Sequence, residues 1–250
     1  MPAYYYAQIS PAAAPPHLFN GKRFARQHWE TVDQFLQRLP PATTEGSREL
    51  QWIWISNPYV PPRQFNLGGI PSDEWSENVS KIPTLRMHGE YMLNELEMTK
   101  FVLGQNLTQQ SAAMISIERD KTVVAIQNLA IAMKIITGKW MLFPPVDRVN
   151  HIWSIVAHAV ATGQLGLGAK VSPKLDHPET GSRLICIYTD DFSNIEDVIR
   201  VLRKLRELGL VPRNERPPIY YKCDAYTYLE IFSGNRWDIR PSLYSSKEML

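Results

Sequence analysis

Residues 138–250 alternate strand-like and helix-like segments, and this order constrains the fold more than any other feature of the chain. Lys139 lies in one short strand-like run and Lys170 in another, with a helix-like segment around Trp153 between them. Successive side chains of a strand point to opposite faces, so the apolar ones can pack against helices while both lysines lie on the other face. Strands covered on one side by helices predict an α+β layer fold.

Further elements are predicted from apolar spacing, turn residues and helix caps. Helices are expected at 29–39, 85–104, 122–136, 147–163 and 193–208, and further strands at 50–55, 183–189, 219–222 and 225–232. The segment 193–208 has the clearest helix signal, because Ser193 and Glu196 form a capping box and Gly209 can end the helix in the left-handed conformation.

The domain organisation is predicted from proline content and length. Residues 1–20 contain several prolines and are expected to form a disordered tail. The remainder, 21–250, is long enough for a single domain with a sizeable core. A long proline-rich loop is expected within it at 57–83, where it would be functional or mobile.

Charge and cysteine content exclude several classes of protein. The 27 basic residues are balanced by 25 acidic ones, which excludes a polybasic coat for nucleic acid but leaves room for a local basic patch. Cys186 and Cys223 are the only cysteines, too few for a disulfide framework or a zinc cluster. The apolar runs are too short and too polar to span a bilayer. We therefore expect a protein of the cytoplasm, or also of the nucleus, without membrane or metal partners.

Catalytic constellations are not evident in the sequence. The glycines of 163–168 are spaced like part of a dinucleotide-binding fingerprint, but they follow a helix rather than a strand and are interpreted as a linker. His151 and His158 share a helix face with no third ligand nearby, so both are expected to be structural. Cys186 lies in an apolar strand and is expected in the core. The sequence thus predicts a protein that is not an enzyme and has no cofactor.

The positive signal is the combination of lysine and aromatic residues on strands. Alternation places Lys139, Lys170 and Tyr188 on the face left open by the helices. Trp140 and Trp153 are predicted to point inward and to be structural. Ammonium groups bind phosphate as point charges, and an aromatic ring lets a base stack. The alternative is that these lysines are merely solvated on an exposed sheet face.

Specific motifs in 138–250 point to a family. They are Gly138-Lys139-Trp140, Ala169-Lys170-Val171-Ser172-Pro173, Ile187-Tyr188-Thr189, Asp191-Phe192, Tyr221-Lys222-Cys223-Asp224-Ala225-Tyr226-Thr227-Tyr228-Leu229 and Ile239-Arg240-Pro241. With these motifs the segment resembles the Bles (basophilic-leukaemia-expressed protein) family. More distantly, the order of parts is similar to the cap-binding translation initiation factor 4E. That similarity implies one curved antiparallel sheet, helices on its convex face and a ligand on its concave face.

The similarity to the initiation factor also implies site residues. Lys139 falls where the factor has a strand-borne basic residue just before a tryptophan. Lys170 and Lys174 fall in the stretch that supplies its phosphate-binding cations, and Tyr188 falls where an aromatic ring approaches the methylated base. The two loop tryptophans that sandwich the base in the factor have no tryptophan counterparts in this chain.

We therefore expect non-catalytic binding of RNA or a phosphate-bearing nucleotide, such as an RNA 5′ end, on the concave sheet face. The expected ligand-binding residues are Lys139, Lys170, Lys174, Tyr188, Lys222, Tyr226 and Arg240. Two alternatives stay open: a protein-interaction adaptor that uses the aromatic sheet face, and an enzyme that acts on a phosphorylated small molecule. Salt dependence separates RNA binding from the adaptor, because phosphate binding weakens steeply with ionic strength.

Overall fold

The structure, a computed structural model, describes residues 19–60, 79–106, 108–174, 181–211 and 217–250. The predicted tail at 1–20 and the predicted loop at 57–83 lie mostly outside these ranges. Within them the chain forms one six-stranded sheet and seven α-helices, which confirms the predicted α+β class.

The helices are α1 (Val32–Arg38), α2 (Ile82–Gly104), α3 (Gln109–Met133), α4 (Val146–Ala161), α5 (Ile195–Glu207), α6 (Asp224–Tyr228) and α7 (Ser246–Met249). The strands are β1 (Ile53–Ser56), β2 (Gly138–Leu142), β3 (Gly168–Val171), β4 (Ile185–Thr189), β5 (Tyr220–Cys223) and β6 (Tyr244–Ser245). Their order across the sheet is β1-β3-β4-β2-β5-β6, and the pairings of β1 with β3, β3 with β4, β4 with β2 and β5 with β6 are antiparallel. None of the described helices is long and apolar enough to cross a membrane.

The chain divides into two compact units, which are described separately. Unit 1 comprises Met1–Gln64, Gly138–Tyr221 and Tyr244–Leu250, and it contains β1 to β4, β6 and the helices α1, α4, α5 and α7. Unit 2 comprises Phe65–Thr137 and Lys222–Leu243, and it contains α2, α3 and α6. The boundary passes through β5.

In unit 1, one face of the sheet packs against α4 and α5. Two cross-strand rows of apolar residues form this face: Ile53, Val171, Ile185 and Leu142, and then Ile55, Ala169, Ile187 and Trp140. Trp140 is fully buried, and its Nε1 donates to the carbonyl oxygen of Val198 in α5 at 3.0 Å. Trp153 of α4 is also fully buried and meets Phe35 of α1 edge to face at 6.3 Å. Both tryptophans are therefore structural, as predicted.

In unit 2, α2 and α3 pack along each other and α6 contacts both. The predicted helix at 85–104 is confirmed, with Leu85, Leu93 and Leu96 forming its buried stripe. Gly89 lies on the same stripe against Leu229, whose Cδ2 would be 2.5 Å from a Cβ at that position. A side chain at this position would have to displace the Leu229 side chain.

The strand predicted at 225–232 is wrong. Residues 224–228 form the short helix α6, and Glu230 follows with a positive φ of 55°. The backbone N–H of Asp224 donates to the carbonyl oxygen of Thr137 at 2.9 Å, and its carboxylate accepts from Thr137 Oγ1 at 2.6 Å. These tertiary bonds end β5 and begin the helix. Most residues of α6, among them Ala225 and Tyr226, are buried. The apolar pattern of this short segment therefore matches neither the helical period nor the strand period clearly.

Two helix starts also differ from the predictions. The helix predicted at 122–136 begins thirteen residues earlier, at Gln109, where Thr108 and Ser111 form a capping box. The N-cap of α5 is Asn194, whose side chain accepts from the N–H of Asp197, rather than Ser193. Ser193 and Asn194 are adjacent and have similar capping chemistry. The direction in which the chain enters the helix decides which of them becomes the N-cap.

Candidate functional site

The face of the unit 1 sheet opposite α4 and α5 carries the predicted lysines. We call it the lysine face. It consists of two cross-strand rows: Ser56, Gly168, Tyr188 and Lys139 in one, and Trp54, Lys170, Cys186 and Met141 in the other. The register therefore brings Lys139, Lys170 and Tyr188 together, as alternation predicted.

Lys170 lies at the centre of an aromatic cluster. Its Nζ is 4.3 Å from the ring centroid of Trp52, 4.8 Å from that of Trp54 and 5.5 Å from that of Tyr188. Each distance is within the range of a cation–π interaction, and such contacts are strongest where water is excluded. The cluster thus holds one ammonium group against three rings.

Lys139 reaches the same cluster from the neighbouring strand β2. Its Nζ is 5.6 Å from the ring centroid of Tyr188, directly across the β2–β4 register. The two lysines are only 7% and 8% exposed, whereas the alternative interpretation of the sequence had them solvated on an exposed sheet face. That interpretation is wrong because long lysine stems lie along the aromatic rings, which remove most of their surface from water.

The aromatic rings of the lysine face are packed against each other. Trp54 stacks on Tyr188 with ring centroids 5.9 Å apart and 20° between the planes. On the other side, Phe19 stacks on Trp54 at 4.5 Å and 27°. Trp54, Tyr188 and Phe19 are each at most 3% exposed, whereas Trp52 is only half-buried. Trp52 is therefore the ring of this cluster that keeps an accessible surface.

The segment that carries Phe19 is held beside β1. Trp54 donates its backbone N–H to the carbonyl oxygen of Phe24 at 2.9 Å, and Arg26 donates to that of Trp54 at 3.0 Å. Ala25 forms a parallel bridge with Trp54. The segment thereby extends the sheet edge and places Phe19 over the aromatic cluster.

An ion pair between the buried Glu30 and the partly exposed Arg38 supports this segment. The carboxylate of Glu30 accepts from Arg38 Nε and Nη2, both at 2.7 Å, and from the backbone N–H of Gln27 at 3.1 Å. Burial alone would raise the pKa of Glu30, but those hydrogen bonds and the charges of Arg38 and Arg26 outweigh it and hold the pKa below its ordinary value. Arg38 Nη2 also donates to the carbonyl oxygen of Ala25, so the pair ties α1 to the segment.

The other predicted site residues lie elsewhere. Lys174 follows β3, is exposed, and lies 3.6 Å from the carboxylate of Glu45. Lys222 belongs to unit 2, where its Nζ donates to the carbonyl oxygen of Ile231 at 2.8 Å and lies 4.2 Å from the ring centroid of Phe232. These contacts give Lys174 a surface ion pair and Lys222 a structural role at the start of α6.

Tyr226 and Arg240 also belong to unit 2 and line one cavity there. Tyr226 is 1% exposed and its hydroxyl accepts from Gln127 Nε2 at 3.4 Å, whereas Arg240 is exposed and its Nε donates to Ser242 Oγ at 3.2 Å. The seven predicted residues thus fall into a group on the lysine face, a pair in the unit 2 cavity, and two lysines with separate partners.

Trp52, Trp54 and Phe19 were missed by sequence reasoning. Trp52 and Trp54 are two residues apart in a strand-like run, which places both on one face by the same alternation that was applied to the lysines. Their signal was present in the sequence. Phe19 gave no such signal, because its position depends on the pairing of residues 24–26 with β1.

Among the described residues, no group of three or more His, Cys, Asp or Glu side chains could hold a metal ion. Cys186 and Cys223 are both buried thiols without a disulfide.

Comparison with known protein families matches residues 5–230 to the family described as basophilic leukemia-expressed protein Bles03. Comparison with solved structures finds a complex crystal structure of Ascaris suum eIF4E-3 with an m2,2,7G cap, at 14% sequence identity and a TM-score of 0.32. That similarity covers 44% of this chain and 58% of the other, so the chain spans little more than half the length of the structure it matches. The family match reaches well beyond the C-terminal motifs and includes most of the first half. The chain belongs to the basophilic leukemia-expressed protein Bles03 family.

Proposed function

We propose that the lysine face binds RNA, or a nucleotide, through its phosphate, without catalysis. The observation that supports this most directly is the pair of nine-tenths buried lysines, Lys139 and Lys170, whose ammonium groups both lie near the Tyr188 ring. The two ammonium groups lie 5.6 and 5.5 Å from the centroid of this same ring, so a single phosphate can contact the two of them.

A phosphate suits this pair of lysines on electrostatic grounds. Aromatic rings attract an ammonium group through their quadrupole but do not cancel its charge. Ion pairing and hydrogen bonding with a phosphate are stronger at a partly dehydrated position than on an open surface, because the local dielectric is lower. The lysine face therefore favours an anion more than the exposed lysines of the helices do.

Trp52 is the ring we assign to base stacking. It is half-buried, so part of its surface remains accessible, and it lies beside the Lys170 ammonium. Base–aromatic stacking contributes about 1–3 kcal/mol per base and tolerates any base. Tyr188, which the sequence suggested for this role, is buried between Trp54 and the two lysines and instead positions them.

The two alternatives have less support. An adaptor would pack a partner on several accessible rings, yet Trp54, Tyr188 and Phe19 are buried against each other and of the four rings Trp52 alone keeps accessible surface. An enzyme would need a carboxylate or an imidazole beside the lysines. The two cross-strand rows contain neither, since their polar members are Ser56, Tyr188, Cys186 and the lysines.

The test is the affinity of the full chain for a short 5′-phosphorylated, fluorescein-labelled oligoribonucleotide, measured by fluorescence anisotropy. Lys170→Met keeps the stem volume and removes the charge, so binding should weaken roughly 10- to 100-fold, as for a lost charged hydrogen bond. The matched control is Lys204→Met, which removes the same charge from α5 on the opposite side of the sheet and should change the affinity less than threefold.

Thermal unfolding of both variants shows whether the fold is retained. Lys170→Met is expected to stay within about 1 kcal/mol of the parent stability, because the lost cation–π contacts are offset by removal of a buried charge. Parental RNA affinity in folded Lys170→Met would refute the proposal. An RNA affinity that changes neither with salt concentration nor in Lys170→Met would instead favour the adaptor.

A further inference from the structure

Unit 2 contains a cavity that the lysine face does not involve. Its volume is about 410 Å³, and its walls come from α3, α6 and the segment 238–243. Small-molecule sites typically measure roughly 300–1,000 Å³ and combine apolar walls with a few convergent polar groups. Val123, Ile239 and Leu243 supply the apolar wall here.

The polar groups that line the cavity are mostly hydrogen-bond donors. Arg119 and Arg240 contribute guanidinium groups, and Gln127 and Tyr226 contribute an amide and a phenol. Arg119 is held in place by Ser116 Oγ, which accepts from its Nη2 at 2.8 Å. Planar guanidinium groups bind phosphate and carboxylate oxygens in bidentate geometry, which makes a pair of them a selective anion contact.

Tyr226 is the most informative of these groups. Its side chain is 1% exposed, and its oxygen accepts a hydrogen bond from Gln127 Nε2. Within the described parts of the chain no side-chain or backbone oxygen accepts from the phenol itself. Burial, and secondarily the nearby Cys223, raise the pKa of Tyr226 well above its ordinary value, so the phenol keeps its proton at physiological pH. A buried donor that lines a cavity points to an acceptor in the ligand.

Two carboxylates also line the cavity, and both are held by cations. Asp238 forms an ion pair with Lys100, and Asp120 lies 3.6 Å from Arg119 Nε. Their side chains are 68% and 73% exposed, so water screens their repulsion of an anion. Arg119, at 32% exposed, and the buried Tyr226 are both less exposed than either carboxylate, so their donors are the less screened groups of the cavity wall.

We propose that this cavity binds a small phosphate monoester, with the phosphate on Arg119, Arg240 and Tyr226 and the organic group on the apolar wall. The site lies entirely in unit 2 and does not depend on RNA binding at the lysine face. An anion attracts both guanidinium groups and accepts from the buried phenol of Tyr226, whereas a cationic ligand would be repelled by the arginines.

Phenyl phosphate is a suitable probe, because it joins a phosphate to an apolar ring. Isothermal titration of the full chain should show saturable binding of phenyl phosphate, weaker binding of inorganic phosphate and none of benzyl alcohol. Inorganic phosphate binding as tightly as the ester would show that the apolar wall does not contribute and would overturn the assignment of a monoester.

Two variants locate the site, and two more serve as controls. Tyr226→Phe keeps the buried ring and should weaken phenyl phosphate binding about 2- to 10-fold, and Arg240→Gln should weaken it about 10-fold or more. Arg236→Gln is the matched control, since Arg236 pairs with Glu97 in the same unit but does not line the cavity, and it should change the affinity less than twofold. The titrations are repeated in Lys170→Met, which removes phosphate binding at the lysine face, so that saturable binding which remains in that variant and is lost with Arg240→Gln belongs to the unit 2 cavity. Unaltered binding in Tyr226→Phe and Arg240→Gln, or none in the parent protein, would rule the cavity out.

Discussion

At the scale of single residues, close packing next to the lysine face leaves no room at Gly166. A Cβ at this position would overlap the backbone carbonyl oxygen of Tyr188. The neighbouring Leu167 N–H donates to that same oxygen at 3.0 Å, so neither backbone can move away without losing a hydrogen bond. Asn57 Nδ2 further fixes the loop by donating to the carbonyl oxygen of Gly166 at 2.9 Å.

Gly166→Ala is therefore expected to destabilise the protein by about 3 kcal/mol, at the upper end of typical overpacking costs. Gly104→Ala is the control, because a Cβ there has no neighbour within 4 Å and should stabilise α2 by about 0.5–1 kcal/mol. Urea unfolding of both variants measures the difference. Equal stability of Gly166→Ala and the parent would show that this loop rearranges at little cost.

Another residue-scale prediction concerns the pH dependence of the Glu30–Arg38 pair. The pKa of Glu30 is lower in the folded protein than its ordinary value of 4.5, so the pair's stabilisation is fully present above about pH 4.5. It is lost as the pH falls through the folded pKa, because protonation removes the carboxylate charge. Glu30→Gln should be less stable than the parent at pH 7, and the gap should narrow below pH 4.5. A gap that is independent of pH would exclude a contribution from the charge.

At the scale of elements, α5 shows how a helix is positioned by its cap and its apolar stripe. Val198, Val201, Leu202 and Leu205 are fully buried, and Gly209 ends the helix with a φ of 75° as predicted. On the basic face, Lys204 pairs with Glu207 at 3.0 Å and Arg200 pairs with Asp197 at 2.8 Å. We expect charge reversal at Arg203 and Lys204 to leave RNA affinity within about threefold.

The cap of α5 gives a matched pair of variants. Asn194 accepts from the N–H of Asp197, so Asn194→Ala should cost about 1 kcal/mol of stability. Ser193 donates instead to Asp191 on the exposed surface, so Ser193→Ala should cost less than about 0.5 kcal/mol. Thermal unfolding measures the loss of stability in each variant. A larger loss in Ser193→Ala than in Asn194→Ala would show that Ser193 is the cap.

At the scale of the whole molecule, charge balance limits how RNA binding can respond to salt. With 27 basic and 25 acidic residues the chain has no excess of cations to spread over many phosphates. If Lys139 and Lys170 make the phosphate contacts, about two counterions are released from a single strand. A basic coat with six or more contacts would release three times as many or more.

The logarithm of RNA affinity should therefore fall with the logarithm of salt concentration with a slope of about −1.4. A polybasic coat would give a slope of about −4 or steeper. Anisotropy titrations between about 50 and 300 mM salt measure this slope. The Lys139→Met, Lys170→Met double variant should bring it close to zero, and an unchanged slope would place the phosphate contacts elsewhere.

Local patterns in the sequence determined the fold class, most helices and the shared face of Lys139, Lys170 and Tyr188. Strand alternation and helix periodicity are properties of neighbouring residues, so they can be recognised without knowing the fold. The same reasoning reached Trp140 and Trp153, whose burial follows from their position on an apolar stripe.

Only the tertiary structure decided what surrounds those residues. Lys170 is buried because Trp52 and Trp54 from one segment and Tyr188 from another converge on it, and Lys139 lies over the same Tyr188 ring. No local pattern reports such convergence. The helix α6 replaced a predicted strand because Asp224 bonds to Thr137, which lies 87 residues earlier. The burial of a side chain and the point at which a strand ends depend on contacts between distant residues. Those contacts exist only once the chain has folded.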